Sequence, residues 1–119
     1  MGTDGSTQGV LTHHLQAFGE GNLDAIMSDY GDDSVLFTPD AVLQGLAEIK
    51  PLFEAFFAEF SKPGMSFNMD TQVVRGEVAY IVWRAETADN HYELATDTFV
   101  VRDGKIVYQT FAAKITPKD

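Results

Sequence analysis

The chain has 119 residues, 45% hydrophobic and 12% aromatic, enough for one packed core and too few for two ordinary domains. A formal charge of -10, from 18 acidic and 8 basic residues, argues against a nucleic-acid partner, and no Lys/Arg cluster offers a local exception. Having no cysteine, the chain has no disulfide, thiolate metal site or cysteine nucleophile; together with the absence of a signal-like or bilayer-spanning stretch, this leads to the expectation of a cytoplasmic protein with no membrane partner.

Residues 1–8, the end of which reads "GSTQ", are expected to be a flexible N-terminus, and residues 9–117 a single domain. In "VLTHHLQAFGEG", Val10, Leu11, His14, Leu15 and Phe18 recur at helical spacing, and Gly19 and Gly21 end the pattern. A second short helix follows in "NLDAIMSDYGDD". Asn22 is its N-cap, Asp24 sits in its favourable first turn, and Leu23, Ile26, Met27 and Tyr30 share one face. "SVLFTPDAVLQG" turns to β-branched and aromatic residues around Pro39 and Asp40, which predicts two short strands joined by a turn.

"LAEIKPLFEAFFAEF" is the third helix, with Leu46, Ile49, Phe53, Phe56, Phe57 and Phe60 facing inward. Pro51 lies too deep for a first-turn proline and is expected to bend or restart it. The period then switches to two. "MSFNMDTQVV", "VAYIVWRAET", "YELATDTFVVRDG" and "KIVYQTFAAKIT" predict four long strands, with Met65, Phe67, Met69, Thr71 and Val73 on one face of the first. Turns are expected at Arg75-Gly76, Ala88 to Asn90, and Asp103-Gly104. This order is that of an α+β fold, in which a curved sheet wraps the long helix and encloses a conical cavity.

Two polar residues break the apolar patterns. Asp97 shares a strand face with Ala95, Phe99 and Val101, a face that alternation buries. Either nearby hydroxyl or backbone groups satisfy this acid, or burial keeps it protonated and ready to donate to a ligand oxygen. His14 lies in the apolar stripe of the first helix, as a satisfied core residue or as a polar group facing a cavity. Tyr30 ends the inner stripe of the second helix and needs a partner for its hydroxyl. Trp83, on the apolar face of Ala79, Ile81 and Ala85, is a cavity wall or a subunit contact.

Arg84, Glu86 and Glu93 fall on polar faces. His13 and His14 are adjacent and so diverge on a helix; with His91 in a turn, no metal site and no cofactor are expected. Glycine-rich phosphate loops, HExxH and GxSxG are all absent from the sequence.

The order of these elements, with "GNLDAIMSDYGDDSVLFTP" and "TDTFVVRDGKIVYQTF", resembles the NTF2-like superfamily, in particular its SnoaL-like and ketosteroid isomerase-like branch. The resemblance runs from about Val10 to Ile115. It implies a cystatin-like α+β cone and a homodimer formed through the outer sheet face, which the two apolar faces of "VAYIVWRAET" also suggest. It places the protonated oxyanion-hole aspartate on Asp97 and the oxyanion-hole tyrosine on His14. The general base falls on Thr38, which cannot abstract a carbon-bound proton, and Asp40 is the nearest substitute.

The resulting expectation is a cavity for a small apolar molecule bearing a carbonyl or hydroxyl, with isomerase or lyase chemistry through Asp97 and His14. Tyr30 and Asp40 are secondary candidates, and Phe53, Phe57, Trp83 and Thr38 are wall residues. The alternative is a non-catalytic homodimeric ligand-binding or interaction module whose interior acid is fully satisfied by protein groups.

Overall fold

A computed structural model describes residues 5–118 and orders them as α1 (Thr7–Glu20), α2 (Leu23–Met27), β1 (Val35–Phe37), β2 (Val42–Gln44), α3 (Leu46–Phe60), β3 (Ser66–Arg75), β4 (Val78–Glu86), β5 (Asn90–Arg102) and β6 (Lys105–Pro117). Three helices pack on one six-stranded mixed sheet of order β2-β1-β6-β5-β4-β3, an α+β fold. The β1–β2 hairpin joins the four-stranded meander through β1, which runs parallel to β6 with Leu36 opposite Gln109; the other neighbours are antiparallel. Among the described residues no helix is long and apolar enough to cross a membrane.

The helix ends follow their capping chemistry. Ser6 caps α1 by accepting from the Gly9 amide, so the helix begins two residues before the expected domain boundary at residue 9; residues 1–4 lie outside the described residues. Gly21, at φ 64°, closes α1 in the left-handed conformation that a Cβ disfavours. Asn22 caps α2 at once, its side chain accepting from the Ala25 amide. This tight joint sets α2 across α1 and fixes where Asp29 and Tyr30 emerge. Pro51 does not restart α3: the helix runs unbroken from Leu46 to Phe60, with Pro51 exposed in its second turn.

The sheet's inner face and the helices share one core, including Leu11, Ile26, Leu36, Ile49 and Phe99. Burying each of these side chains contributes about 1.5–3 kcal/mol. Three β-bulges alter which residues reach it. In β3, Met69 pairs with Trp83 but Thr71 pairs with Val82, so Asp70 is an extra residue and the side-chain alternation changes parity there. Gln72 and Val74 therefore face inward, opposite Ile81 and Ala79, where uninterrupted alternation predicts Thr71 and Val73. Glu93 plays the same part in β5 and turns Tyr92 inward beside Ala95, while Val107 is the extra residue in β6. Bulged strands bend. The Asp103-Gly104 turn carries positive φ at both residues, as a tight hairpin between twisted strands requires.

Candidate functional site

Between the inner face of the sheet and the two long helices lies a pocket of about 1000 Å³. Its walls are mostly aromatic: Phe18 of α1 and Phe53, Phe56 and Phe57 of α3 face Trp83 and Phe111 of the sheet. The Phe56 and Phe111 rings meet edge to face at 5.4 Å across it. Phe67 and Trp83 lie nearly parallel at 5.4 Å, and Met65 and Met69 add flexible apolar surface beside them. Polar groups reaching this space include His14, Gln72, Asp97 and Gln109.

Asp97 is 7% exposed. Strand alternation aims it inward between Ala95 and Phe99, and two neighbouring strands supply its donors. The Trp83 indole Nε1 donates to Oδ1 at 2.9 Å, and the Gln109 amide Nε2 donates to Oδ2 at 2.9 Å. Burial raises the carboxyl pKa above its ordinary value, and these two bonds and the His14 imidazole draw it only part of the way back. Gln109 is itself oriented, because its Oε1 accepts a short hydrogen bond from the Tyr30 hydroxyl. Burial first, then the charges of Asp97 and Asp29, hold Tyr30 well above the ordinary phenol range, so it stays a donor. A chain of side chains thus runs from Tyr30 through Gln109 to Asp97 and Trp83, and protein hydroxyls or backbone are not what meets the acid.

His14 is 4% exposed and sits in the pocket wall. Its ring is gripped edge to face by Phe99 at 5.1 Å, Phe53 at 5.8 Å and Tyr30 at 6.1 Å. Behind it, away from the pocket, stands Asp29, a carboxylate 4% exposed that follows α2. The His13 Nδ1 lies 2.7 Å from Asp29 Oδ1. Asp29 Oδ2 and His14 Nδ1 are buried, lack hydrogen-bond partners, and lie 3.7 Å from each other.

Of the residues singled out by pattern and resemblance, Asp97, His14, Phe53, Phe57 and Trp83 meet in the pocket. Tyr30 stands one layer behind, touching Asp97 only through Gln109. Thr38 and Asp40 are elsewhere. The Thr38 hydroxyl is engaged in the β1–β2 turn, accepting from the Ala41 amide at 3.0 Å and from the Asp40 amide at 3.3 Å, and Asp40 is exposed there; neither lines the pocket. The turn chemistry of "TPDA" holds both away, so Asp40 does not substitute for a base at Thr38.

Sequence patterns missed Gln109 and Asp29. Gln109 carries the same signal as Asp97, a polar side chain in register with apolar Phe111 and Ala113, whereas Asp29 falls just past a five-residue helix in a run of acids and has none. Among the described residues no group of three or more potential ligands could hold a metal ion. Arg84 is paired with Asp70 on the solvent side, and His91 with Glu86.

A family model described as a SnoaL-like domain matches residues 11–109. No curated protein matches the chain. Among solved structures, an NTF2-like protein from Mesorhizobium loti is similar with a TM-score of 0.77 at 23% identity, covering 96% of this chain and 97% of that one. The epoxide hydrolase/cyclase-like enzyme SalBIII of pyran ring formation in salinomycin gives 0.77 at 15% identity, covering 94% and 95%. A candidate ketosteroid isomerase from Kribbella flavida gives 0.74 at 12% identity, covering 98% and 83%. Identities this low establish a shared fold, and a shared fold leaves the chemistry open. With the family model spanning nearly all of the helices and the sheet that build the pocket, the chain belongs to the SnoaL-like domain family of the NTF2-like superfamily.

Proposed function

We propose that the pocket binds a small, mostly apolar molecule through a carbonyl or hydroxyl oxygen, and that the protein acts on it as an isomerase or lyase of the ketosteroid isomerase-like type. The observation that carries this reading is Asp97: an acid with a raised pKa, turned into an aromatic-walled pocket on oriented donors. In its neutral form the carboxyl keeps acceptor sites for Trp83 and Gln109 and gains one O–H donor. That donor strengthens its bond as negative charge builds on a ligand oxygen, which is the requirement for electrostatic stabilisation of an enolate-like state. Phe53, Phe57 and Trp83 supply apolar contact.

The chain has a single tryptophan, and it both lines the pocket and donates to Asp97, so its emission reports on occupancy. Titration with 2-naphthol is expected to change Trp83 fluorescence saturably. Asp97→Asn, which replaces the acidic O–H by a weaker amide donor set against Trp83 or Gln109, is expected to weaken binding about tenfold, or ~1.4 kcal/mol. Absence of saturation up to the solubility limit would sink the pocket reading, and equal affinity in the variant would remove Asp97 from it.

A homodimer through the outer sheet face belongs to the same reading, supported by Val73, Val78, Tyr80 and Tyr108, all exposed on that face. Cross-strand register places Val73 beside Tyr80, and Val100 between Val78 and Tyr108, an apolar strip that a second copy would cover.

A further inference from the structure

The position at which the family resemblance places a general base is Thr38, held in the β1–β2 turn outside the pocket. A ligand whose oxygen is held by Asp97 still needs a group to take its proton. We infer that His14 is that base, with Asp29 as the positioning residue that fixes its tautomer and His13, whose Nδ1 lies 2.7 Å from Asp29 Oδ1, as the partner that holds Asp29 in place.

The geometry behind this inference lies in the two unpartnered polar atoms. Buried polar atoms normally have partners. His14 Nδ1 and Asp29 Oδ2 have none, are both shut away from solvent, and lie 3.7 Å apart. A closure of less than about 1 Å makes them a hydrogen bond, and catalytic contacts are commonly long before a ligand is bound. Only an Nδ1–H can donate to a carboxylate. Bonding to Asp29 therefore puts the ring proton on Nδ1 and leaves the Nε2 lone pair on the opposite edge of a ring that lines the pocket.

Phe99, Phe53 and Tyr30 clamp that ring from three sides, so its orientation is fixed and the tautomer decides whether the nitrogen on the pocket edge carries a lone pair or a proton. The ionisable groups around the imidazole are Asp29 and His13 on the helix side, Tyr30 at the end of α2, and Asp97 from β5.

A C–H bond next to the ligand carbonyl breaks as His14 Nε2 takes the proton, and its electron pair moves into the C–C bond as the carbonyl π pair moves onto oxygen. Asp97 O–H stabilises that oxygen, and Asp29 stabilises the imidazolium that has formed. With a C=C bond β,γ to the carbonyl, return of the proton from Nε2 to the γ-carbon of the dienolate gives the conjugated isomer; with a leaving group on the β-carbon, the enolate pair forms the new C=C bond as the bond to that group breaks, and the Nε2 proton passes to it. This rests on the pocket reading proposed above and adds to it the base and its support.

Two measurements test it, and they fail separately from that reading. The first needs no ligand: long-range proton–nitrogen NMR of the histidine rings in the full chain is expected to show His14 with a protonated Nδ1 and a bare Nε2, and Asp29→Asn is expected to abolish that preference. A proton on Nε2 in the wild type, or a tautomer unchanged in Asp29→Asn, overturns the inference.

The second uses 2-tetralone, an apolar ketone with exchangeable α-hydrogens, and follows deuterium uptake from solvent. Exchange is expected to slow about 100-fold in His14→Phe and about tenfold or more in Asp29→Asn, while 2-tetralone affinity read from Trp83 emission stays unchanged in Asp29→Asn. Equal exchange rates in the wild type and Asp29→Asn overturn the role of Asp29, and equal rates in His14→Phe overturn the base. No Trp83 response to 2-tetralone at all counts against the pocket reading, while the tautomer still decides the pairing of His14 with Asp29.

Discussion

Two carboxylates are buried among the described residues, and the protein treats them differently. Asp97 receives a donor on each oxygen, from Trp83 and Gln109, and the second donor is braced by Tyr30. Asp29 has one oxygen paired with half-buried His13 and the other facing His14 without a bond. The first arrangement is preorganised: its members are held on four segments, the stretch after α2, β4, β5 and β6. The second is incomplete, with His14 Nδ1 and Asp29 Oδ2 facing each other 3.7 Å apart and no bond between them. In the reading proposed above, a fully bonded acid and an imidazole with an open partner take different halves of a proton transfer.

The largest way to break the contrast is Gln109→Leu, which removes the brace and leaves both the Tyr30 hydroxyl and Asp97 Oδ2 without partners. Urea unfolding is expected to show a loss of about 3 kcal/mol, since each stranded buried polar group costs roughly 1–3 kcal/mol. The Asp97 carboxyl pKa is expected to rise further in that variant, because one of the bonds holding it down has gone. A near-neutral result would mean that water replaces the amide.

A smaller effect follows from pH. Asp97 has a folded-state pKa raised above its unfolded value of about 4. Between those two values the folded state binds the proton and the unfolded state releases it, so stability falls as pH rises. The contribution is complete below about pH 4 and is lost as pH climbs through the folded-state value. Urea midpoints taken at successive pH values are expected to show this fall in the wild type and to lose it in Asp97→Asn; an unaltered profile would mean an ordinary carboxylate. The smallest effect is expected outside the pocket. Arg84 makes two bonds to Asp70 and holds its carboxyl below the usual range, yet both are largely exposed on the outer face. Arg84→Met should return Asp70 to an ordinary value by NMR titration and leave the unfolding midpoint where it was.

Much of the pocket was legible because its residues disobey local patterns. An acid among Ala95, Phe99 and Val101 and an imidazole among Val10, Leu11 and Phe18 are anomalies that periodicity exposes, and both came to rest on the cavity wall. The same test applied to β6 singles out Gln109. Periodicity fails at the bulges, where one added residue inverts the faces: Asp70 exchanges Thr71 for Gln72, and Glu93 brings Tyr92 to the core. It also fails for Asp29, whose burial comes from tertiary placement: its carbonyl accepts from the Ile106 amide, 77 positions later, and no local composition encodes that. Thr38 and Asp40 show the limit of resemblance, since the positions align with a base while the turn carries them off the pocket.

The parallel ladder between β1 and β6 has a kinetic corollary. Val35 meets Tyr108 and Phe37 meets Thr110, so β1, which meets β2 at once in its hairpin, finds this second neighbour only when β6, 73 positions later, has been made. His14 and Asp29 can approach each other early, within the helical hairpin, but Asp97 and Gln109 come only with β5 and β6. Non-local closure of this kind slows folding. Until β6 is in place the pocket lacks Gln109 and Phe111, so its aromatic wall stays open on that side while the slowest pairing of the sheet is completed.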